Sequence, residues 1–253
     1  MIENIIDYID SLFETRDMPS YREETGLNLA PERPIQTLGY ATNLTLETVE
    51  GAKAKGVDLL LTHHDAWDFI FGLKATCMEV LETAGIGHYF NHLPLDDCDF
   101  GTNGSLMDVL DLDMVDKTHQ YDGYYCGRLA KTRQVISFKD FVSKLEDRLG
   151  EPVRAWNYGP DHVDCVGLVC GAGGLTTLME ESIKLGSDTY ISGEHNLYAI
   201  QYAQFTKTNL IIGSHTFTEL FGIEHLAKKV GQHFGLNVVQ VQESHIEATD
   251  HRP

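Results

Sequence analysis

Positively charged residues are scarce in this chain of 253 residues, in which 19 Lys and Arg stand against 38 Asp and Glu. The formal net charge of −19 repels a phosphate backbone, so the composition argues against a nucleic-acid partner. No apolar run is long enough to span a membrane, and the amphipathic start is acidic where a signal peptide would be basic. We therefore expect a cytoplasmic protein with no membrane contact, whose acidic surface suits solubility and attracts divalent cations.

Cysteine motifs and linkers are missing as well. The five cysteines are odd in number and contain no C-x-x-C pair, which argues against a disulfide framework and against a thiolate zinc site. No stretch is rich enough in Pro, Ser or Gly to indicate a linker. The length therefore fits one large α/β domain or two interlocked smaller ones.

Apolar strands alternate with amphipathic helices in the first half of the chain. Strands are predicted at 35–42, 57–64 and 87–92, with helices at 46–56 and 75–84 between them. This alternation predicts an α/β fold with mainly parallel sheets and with helices on their faces.

Other segments are expected to differ from this alternation. We expect a polar loop over 19–34, a turn at Pro94 and, between 121 and 153, the start of a second lobe. That lobe should begin with the helix 137–150, whose apolar residues share one face. Further predicted elements are a short N-terminal helix, a helix near Asn103, a strand ending in a glycine turn at 163–174, a helix at 175–186, and strands within 188–196, 209–215 and 236–243.

Residues suited to metal binding follow two of these strands. His63 and His64 are adjacent on an extended backbone, so their side chains point apart and suit two metals, or one metal and a substrate, better than a single ion. Asp96 follows the next strand, and a carboxylate beside imidazoles is a ligand set that Zn, Mn, Fe or Co accept. The alternatives are loop histidines without a function and, for Asp96, a turn residue or helix cap.

A third strand end carries His215 and Glu219, four residues apart at the start of a predicted helix. This spacing places both side chains on one helix face, where an imidazole and a carboxylate can meet at one ion. The alternative is a capping box formed by Thr216 and Glu219, which would only stabilise the helix start. Local sequence does not distinguish the two interpretations, but three strand ends with metal-type ligands together make a metal site plausible.

Several other residues have two possible roles. Glu194 and His195 also follow a strand and are candidates for catalytic or substrate-binding groups, or else ordinary loop residues. The glycines between Gly171 and Gly174 match no phosphate-binding motif and favour a tight turn. Trp67 and Phe71 could line a cleft for an aromatic base, although we expect them to pack in the core.

Five stretches match one protein family in order, spacing and content. The sequence resembles the Nif-three-like dinuclear metal-centre family, whose members are often labelled GTP cyclohydrolase I type 2 homologues. The matching stretches are VDLLLTHHDAW, HLPLDDCDFGTNGSL, VCGAGG, DTYISGE and IIGSHTFTELFGIEHLAKKV.

The resemblance implies a fold, a ligand set and an assembly. It runs from about Ile35 to Glu243 and includes the short helical start. It implies that 1–253 form one family-wide unit, with two interlinked lobes around a central metal cleft: lobe 1 over roughly 1–120 and 205–253, and lobe 2 over roughly 121–204. It implies two divalent metal ions per chain and a ring-shaped homohexamer. The implied metal ligands are His63, His64, Asp96, His215 and Glu219.

Two function classes are compatible with this resemblance. One is a metal-dependent hydrolase of a nucleotide-like or phosphoester small molecule, with GTP cyclohydrolysis as a specific form of it. The other is a non-catalytic metal-binding regulatory or scaffold protein. This chain departs from the family at Asp65, where Pro is usual, and at Tyr198, where His is frequent, so the details of a family mechanism do not carry over directly.

Overall fold

Two β-sheets organise the chain, and each lies in its own compact unit. The computed structural model describes residues 1–248. Unit 1 comprises 1–101 and 222–244, and unit 2 comprises 102–221 and the segment from 245. The predicted lobes have different bounds, roughly 1–120 with 205–253 and 121–204. Those lobe bounds stay a prediction. Within residues 1–248, no helix combines the length and the apolar character needed to cross a membrane.

Helices and strands alternate along most of the chain. In chain order the elements are α1 (Ile2–Ser11), a 3-10 helix (Glu14–Asp17), α2 (Tyr21–Glu24), β1 (Thr25–Leu29), β2 (Thr37–Asn43), α3 (Leu46–Ala54), β3 (Leu59–His64), α4 (Leu73–Ala84), β4 (Gly87–Asn91), α5 (Leu93–Asp97), α6 (Thr102–Val109), β5 (Leu112–Tyr121), β6 (Tyr124–Ser137), α7 (Phe138–Leu149), β7 (Arg154–Trp156), β8 (His162–Val169), α8 (Thr176–Lys184), β9 (Thr189–Ser192), α9 (Leu197–Thr206), β10 (Asn209–Ile212), α10 (His215–Phe234) and β11 (Asn237–Gln240).

The sheet of unit 1 has the order β1-β4-β3-β2-β11. Its strands β4, β3, β2 and β11 run parallel, and only β1 pairs antiparallel, at one edge. Every residue of β3 is buried, as expected for a central strand with helices on both sheet faces. The predicted strands 35–42, 57–64 and 87–92 are confirmed, and their carboxyl ends share one edge of the sheet.

The sheet of unit 2 is mixed, with the order β5-β6-β8-β9-β10-β7. Strands β8, β9 and β10 are parallel, whereas the pairs β5–β6, β6–β8 and β10–β7 are antiparallel. The prediction of mainly parallel sheets therefore holds for unit 1 and is wrong for unit 2. One of the antiparallel pairs is the long β5–β6 hairpin, whose turn residues Asp122 and Gly123 both have positive φ, as a type I′ turn requires.

Two shorter segments also differ from expectation. The predicted polar loop 19–34 contains α2 and the edge strand β1, and the predicted turn at Pro94 lies within the short helix α5. Proline is compatible with this helix because it occupies the first turn, where its missing N–H is not needed.

Helix α7 packs as its sequence predicts. Phe138, Phe141, Leu145 and Leu149 are buried in the core of unit 2. The helix begins at an N-cap, because the Ser137 hydroxyl accepts a hydrogen bond from the Asp140 backbone N–H at 3.1 Å. The predicted face of this helix is confirmed.

Candidate metal-binding sites

The two adjacent histidines of unit 1 lie at the carboxyl end of β3 and are buried, with 0% of His63 and 2% of His64 exposed. Asp96 lies in α5, immediately after β4, and its Oδ1 is 3.5 Å from His63 Nε2. Two imidazoles and one carboxylate therefore share the sheet edge at which parallel α/β sheets place ligands.

Neutral acceptors orient both imidazoles. His63 Nδ1 lies 2.9 Å from the backbone carbonyl oxygen of Asn91, and a carbonyl only accepts. Nδ1 therefore carries the proton, which leaves the lone pair of a neutral His63 on Nε2. His64 Nδ1 lies 2.8 Å from Asn43 Oδ1, which fixes the same tautomer. Each neutral ring could thus bind a metal ion through Nε2.

The Asn43 amide is itself held in one orientation by Glu243. Asn43 Nδ2 donates to Glu243 Oε1 at 2.9 Å, so Oδ1 must face His64. The same carboxylate accepts the backbone N–H groups of Thr42 and Asn43. Burial raises the pKa of Glu243 to about 7, although these hydrogen bonds act in the opposite direction. The chain Glu243–Asn43–His64 is thus a positioning network that sequence reasoning did not identify.

A third imidazole, to which the sequence assigns no role, lies beside this pair. The His92 ring centroid is 5.2 Å from that of His63 and 5.3 Å from that of His64. One ring nitrogen from each of the three residues lies within 4.8 Å of the others, so the group could hold a metal ion. His92 Nδ1 donates to Glu24 at 2.6 Å. The signal in the sequence was its position at the end of β4, four residues before Asp96.

In unit 2, His215 and Glu219 lie on one face of α10, as their spacing predicts. His215 Nε2 is 3.3 Å from Glu219 Oε2. The helix begins at His215, and the Ser214 hydroxyl accepts a hydrogen bond from the Phe217 backbone N–H at 3.1 Å. The helix start is therefore capped by Ser214. The alternative capping box, which needs Thr216 to precede the helix, is wrong.

Two carboxylates act on His215. Its Nδ1 donates to Glu194 Oε1 at 2.6 Å. Burial lowers the pKa of His215, but Glu219 and Glu194 together outweigh burial and raise the pKa to about 11. The hydrogen bond from His215 in turn lowers the pKa of Glu194. Since these carboxylates favour positive charge at the imidazole, the same field favours a divalent cation in place of the proton.

Space beside these two ligand candidates is kept open by Gly171, in the turn after β8. Its φ is +62°, and a Cβ at this position would lie 2.0 Å from Glu219 Oε1 and 2.8 Å from His215 Nε2. A side chain would therefore fill the volume that the two ligand atoms face. The Gly173 backbone N–H donates to the Gly171 carbonyl oxygen at 2.9 Å, so the predicted tight turn is confirmed.

The other residues singled out in the sequence are His195, Tyr198 and Phe71. His195 Nε2 accepts a hydrogen bond from Arg154 Nη1 at 3.0 Å, and both line a pocket of about 210 Å³ together with Glu194. Tyr198 is 69% exposed. The prediction that Phe71 packs in the core is wrong, because 95% of it is exposed.

A cleft of unit 1 is lined by Asp65, where this chain departs from the family, and by Trp67, which was predicted to pack in the core. Asp65 pairs with Lys74 Nζ at 2.5 Å. Trp67 is half-buried on the wall of the cleft, so the expectation of core packing is wrong for this residue too.

Comparison with known proteins places these residues in a family. The family model described as Duf34/NIF3 (NGG1p interacting factor 3) matches residues 1–249. Proteins named GTP cyclohydrolase 1 type 2 homolog align over 243 residues. The Pyrococcus abyssi protein is 26% identical, with 94% of this chain and 96% of the relative covered, and the Allochromatium vinosum protein is 28% identical, with 93% of each covered.

Solved structures show the same fold. TTHA1606 from Thermus thermophilus superposes with a TM-score of 0.80 at 26% identity, covering 96% of this chain and 98% of that one. The structure titled protein ybgI, of unknown function, has a TM-score of 0.83 at 21% identity and covers 96% and 97%. The family match spans nearly the whole sequence, and on that ground the chain belongs to the Duf34/NIF3 family.

Proposed function

We propose that the chain binds two divalent metal ions and hydrolyses a nucleotide-like or phosphoester small molecule. The proposed metal ligands are the five residues predicted from the sequence: His63, His64 and Asp96 from unit 1 with His215 and Glu219 from unit 2. The observation that carries the proposal is the pair of buried imidazoles whose Nδ1 protons are held by neutral acceptors, leaving Nε2 for a metal.

The donor set fits the proposed metals. Three imidazoles and two carboxylates suit Zn, Mn, Fe or Co, and neutral His rings together with carboxylates are the forms in which such side chains bind metal. The open volume in front of Gly171 supports the fit in unit 2. When bound, two divalent ions activate water and stabilise the negative charge that develops on a reacting ester.

The protein's own side chains have separate roles in this proposal. Glu194 holds the Nδ1 proton of His215 and so directs Nε2 towards the proposed metal. Arg154 and His195 lie in the pocket beside Glu194, where a guanidinium can bind an anionic group of the substrate. His195 therefore stays the candidate for direct substrate contact, and Glu194 is a positioning residue.

The family label supplies a more specific form of the proposal. The relatives' name suggests GTP cyclohydrolysis, and we include GTP among the nucleotides to be tested.

A cytoplasmic location and assembly into a homohexamer are also proposed. Light scattering over micromolar concentrations tests the assembly, which a mass of 28.3 kDa, that of one chain, would contradict.

Elemental analysis of purified protein tests the ligand assignment. We expect about two divalent ions per chain in the wild type and a marked loss in His63→Ala and in Glu219→Ala. His162→Ala is the matched control, because His162 is an exposed histidine at the start of β8 and is in no candidate group. Equal metal content in wild type and Glu219→Ala would show that the assignment is wrong.

A substrate screen separates the hydrolase from the alternative. Nucleotides and phosphoesters are offered to protein that has been chelated and then reloaded with Mn or Zn. Turnover that chelation removes and metal restores supports the hydrolase. If metal is bound but no substrate is turned over, the non-catalytic metal-binding regulatory or scaffold protein takes its place. Three adjacent exposed apolar residues, Phe69, Ile70 and Phe71, favour that alternative. Exposed apolar patches of this kind are typical of surfaces that bind another protein.

A further inference from the structure

A row of aromatic rings leads outward from His64 in unit 1. The His64 and Trp67 ring centroids are 4.6 Å apart, with an angle of 42° between the rings. Trp67 and Phe69 follow at 5.6 Å and 19°, which is a stacked arrangement. Phe69 is 72% exposed, so the outer end of the row is in contact with solvent. Removal of apolar surface from water does not explain why these rings stack, because the outermost ring, Phe69, stays exposed to solvent.

The row forms one wall of a cleft of about 650 Å³. That volume falls within the range of about 300–1,000 Å³ that is typical of small-molecule sites. His64, His92 and Phe90 also line the cleft. The cleft thus joins an aromatic wall to His64, one of the five residues proposed to bind metal.

The charges around the cleft select against an anion. Two cationic residues line it, Arg22 and Lys74, against four acidic ones. Both cations already have carboxylate partners, since Arg22 pairs with Asp10 and Lys74 with Asp65. A phosphate in the cleft would therefore meet a net negative wall with no uncommitted cation. The acidic lining residues are Glu23, Glu24, Asp65 and Asp68.

We propose that this cleft binds the neutral planar heterocycle of a nucleoside-like substrate, stacked on Trp67. Stacking on an aromatic side chain contributes about 1–3 kcal/mol per base and needs no charge on the ligand. The anionic part of the substrate would lie at the His64 end of the cleft, next to the proposed metal, and not among the acidic lining residues. The inference deepens the proposed function, because it names the part of the substrate that this wall holds.

Fluorescence titration tests the stacking. The chain contains two tryptophans, so Trp156→Phe leaves Trp67 as the sole indole reporter. Adenosine and guanosine are added to the metal-loaded protein, with ribose 5-phosphate as the probe that lacks a ring system. We expect saturable quenching by the nucleosides and none by ribose 5-phosphate. Quenching by ribose 5-phosphate equal to that by the nucleosides would overturn the proposal.

Calorimetry on variants tests the position of the ring. Trp67→Leu should weaken nucleoside binding by about tenfold, which is what loss of one stacking contact predicts. Phe71→Leu is the control, because Phe71 is a fully exposed aromatic of the same loop and does not line the cleft. Phe69→Leu, a second change in the row, should weaken binding less. Equal binding by wild type and Trp67→Leu, with thermal melts showing that both are folded, would overturn the proposal.

A charge variant tests the exclusion of phosphate. Asp68→Asn removes one exposed acidic group of the lining. In chelated protein, it should tighten binding of adenosine 5′-monophosphate by about twofold or more and leave adenosine unchanged, since only the nucleotide is charged. An equal effect on both ligands would contradict the charge argument.

These binding results are independent of turnover. Nucleoside binding that depends on Trp67 without any metal-dependent turnover would support the cleft and contradict the hydrolase. Turnover of a phosphoester without nucleoside binding would support the hydrolase and contradict the cleft.

Discussion

The two units orient their histidines by different means. In unit 1, a backbone carbonyl and a side-chain amide hold the Nδ1 atoms of His63 and His64. In unit 2, the Glu194 carboxylate holds that of His215, and Glu219 lies on the other side of the ring. A neutral acceptor fixes the orientation of a histidine ring without adding charge. A carboxylate also fixes the orientation, but in addition it raises the pKa of the histidine. The unit 2 residues should therefore hold a proton more strongly when no metal is bound.

The largest expected effect comes from filling the open volume in unit 2. Gly171→Ala places a methyl group against Glu219 and His215, and it also strains a backbone with positive φ. We expect metal content to fall by about half or more, because two of the five proposed ligands lose their geometry. Elemental analysis and a thermal melt measure the metal loss and the strain separately.

Gly186→Ala is the matched control for that variant. Its φ is +103°, but no atom lies within 4 Å of the added Cβ. It should lower the free energy of unfolding by about 1–2 kcal/mol and leave metal content unchanged. Equal metal loss in both variants would mean that backbone strain, and not the occupied volume, is responsible.

Removing a neutral acceptor in unit 1 should have an intermediate effect. Asn43→Ala deletes the acceptor that fixes the His64 tautomer, so we expect metal affinity to fall by about 10–100-fold in a competition with a chelator. Asn28→Ala is the control, since Asn28 donates to His88, a histidine in no candidate ligand group. A similar loss in Asn28→Ala would indicate a general effect of the lost amide.

Converting the charged acceptor of unit 2 into a neutral one sharpens the comparison directly. Glu194→Gln keeps an oxygen near His215 Nδ1 and removes one of the two charges that raise its pKa. In chelated protein, the pKa of His215 measured by NMR should be lower in Glu194→Gln than in wild type, because one of the two carboxylates that raise it is gone. An unchanged pKa would show that Glu219 alone sets the charge of this histidine.

The sequence predicts which residues approach a metal better than it predicts what orients them. Strand β3 begins with three leucines, so its end and the two histidines there were identifiable. Asn43 lies opposite His64 because β2 and β3 pair in one particular register, and that register is a tertiary property. Strand β1 was missed because its segment TGLNL lacks a strong apolar alternation and is ordered by pairing with β4. The β5–β6 hairpin was also missed, although Asp122–Gly123 is a dipeptide typical of a hairpin turn.

The smallest expected effect concerns a third histidine–carboxylate pair, far along the chain from the proposed ligands. His119 Nδ1 is 3.0 Å from Glu181 Oε2, and its Nε2 is 3.1 Å from the Ser182 hydroxyl. Burial lowers the pKa of His119 although Glu181 opposes the shift. The single half-exposed carboxylate of Glu181 does not overcome the effect of burial on the pKa of His119. At His215, the two carboxylates together do overcome it.

This pair predicts a loss of stability in acid. With the folded pKa of His119 below its unfolded value of about 6.5, the unfolded chain binds more protons as the pH falls through that value, so the free energy of unfolding decreases. His119→Asn removes the titrating ring, and asparagine tolerates the positive φ of 61° at this position. The drop in melting temperature between pH 7 and pH 5 should therefore be smaller in His119→Asn than in wild type, both measured as chelated protein. An equal drop in the two proteins would assign the acid sensitivity to other groups, and a larger drop in the variant would mean that Glu181 keeps His119 charged in the folded state.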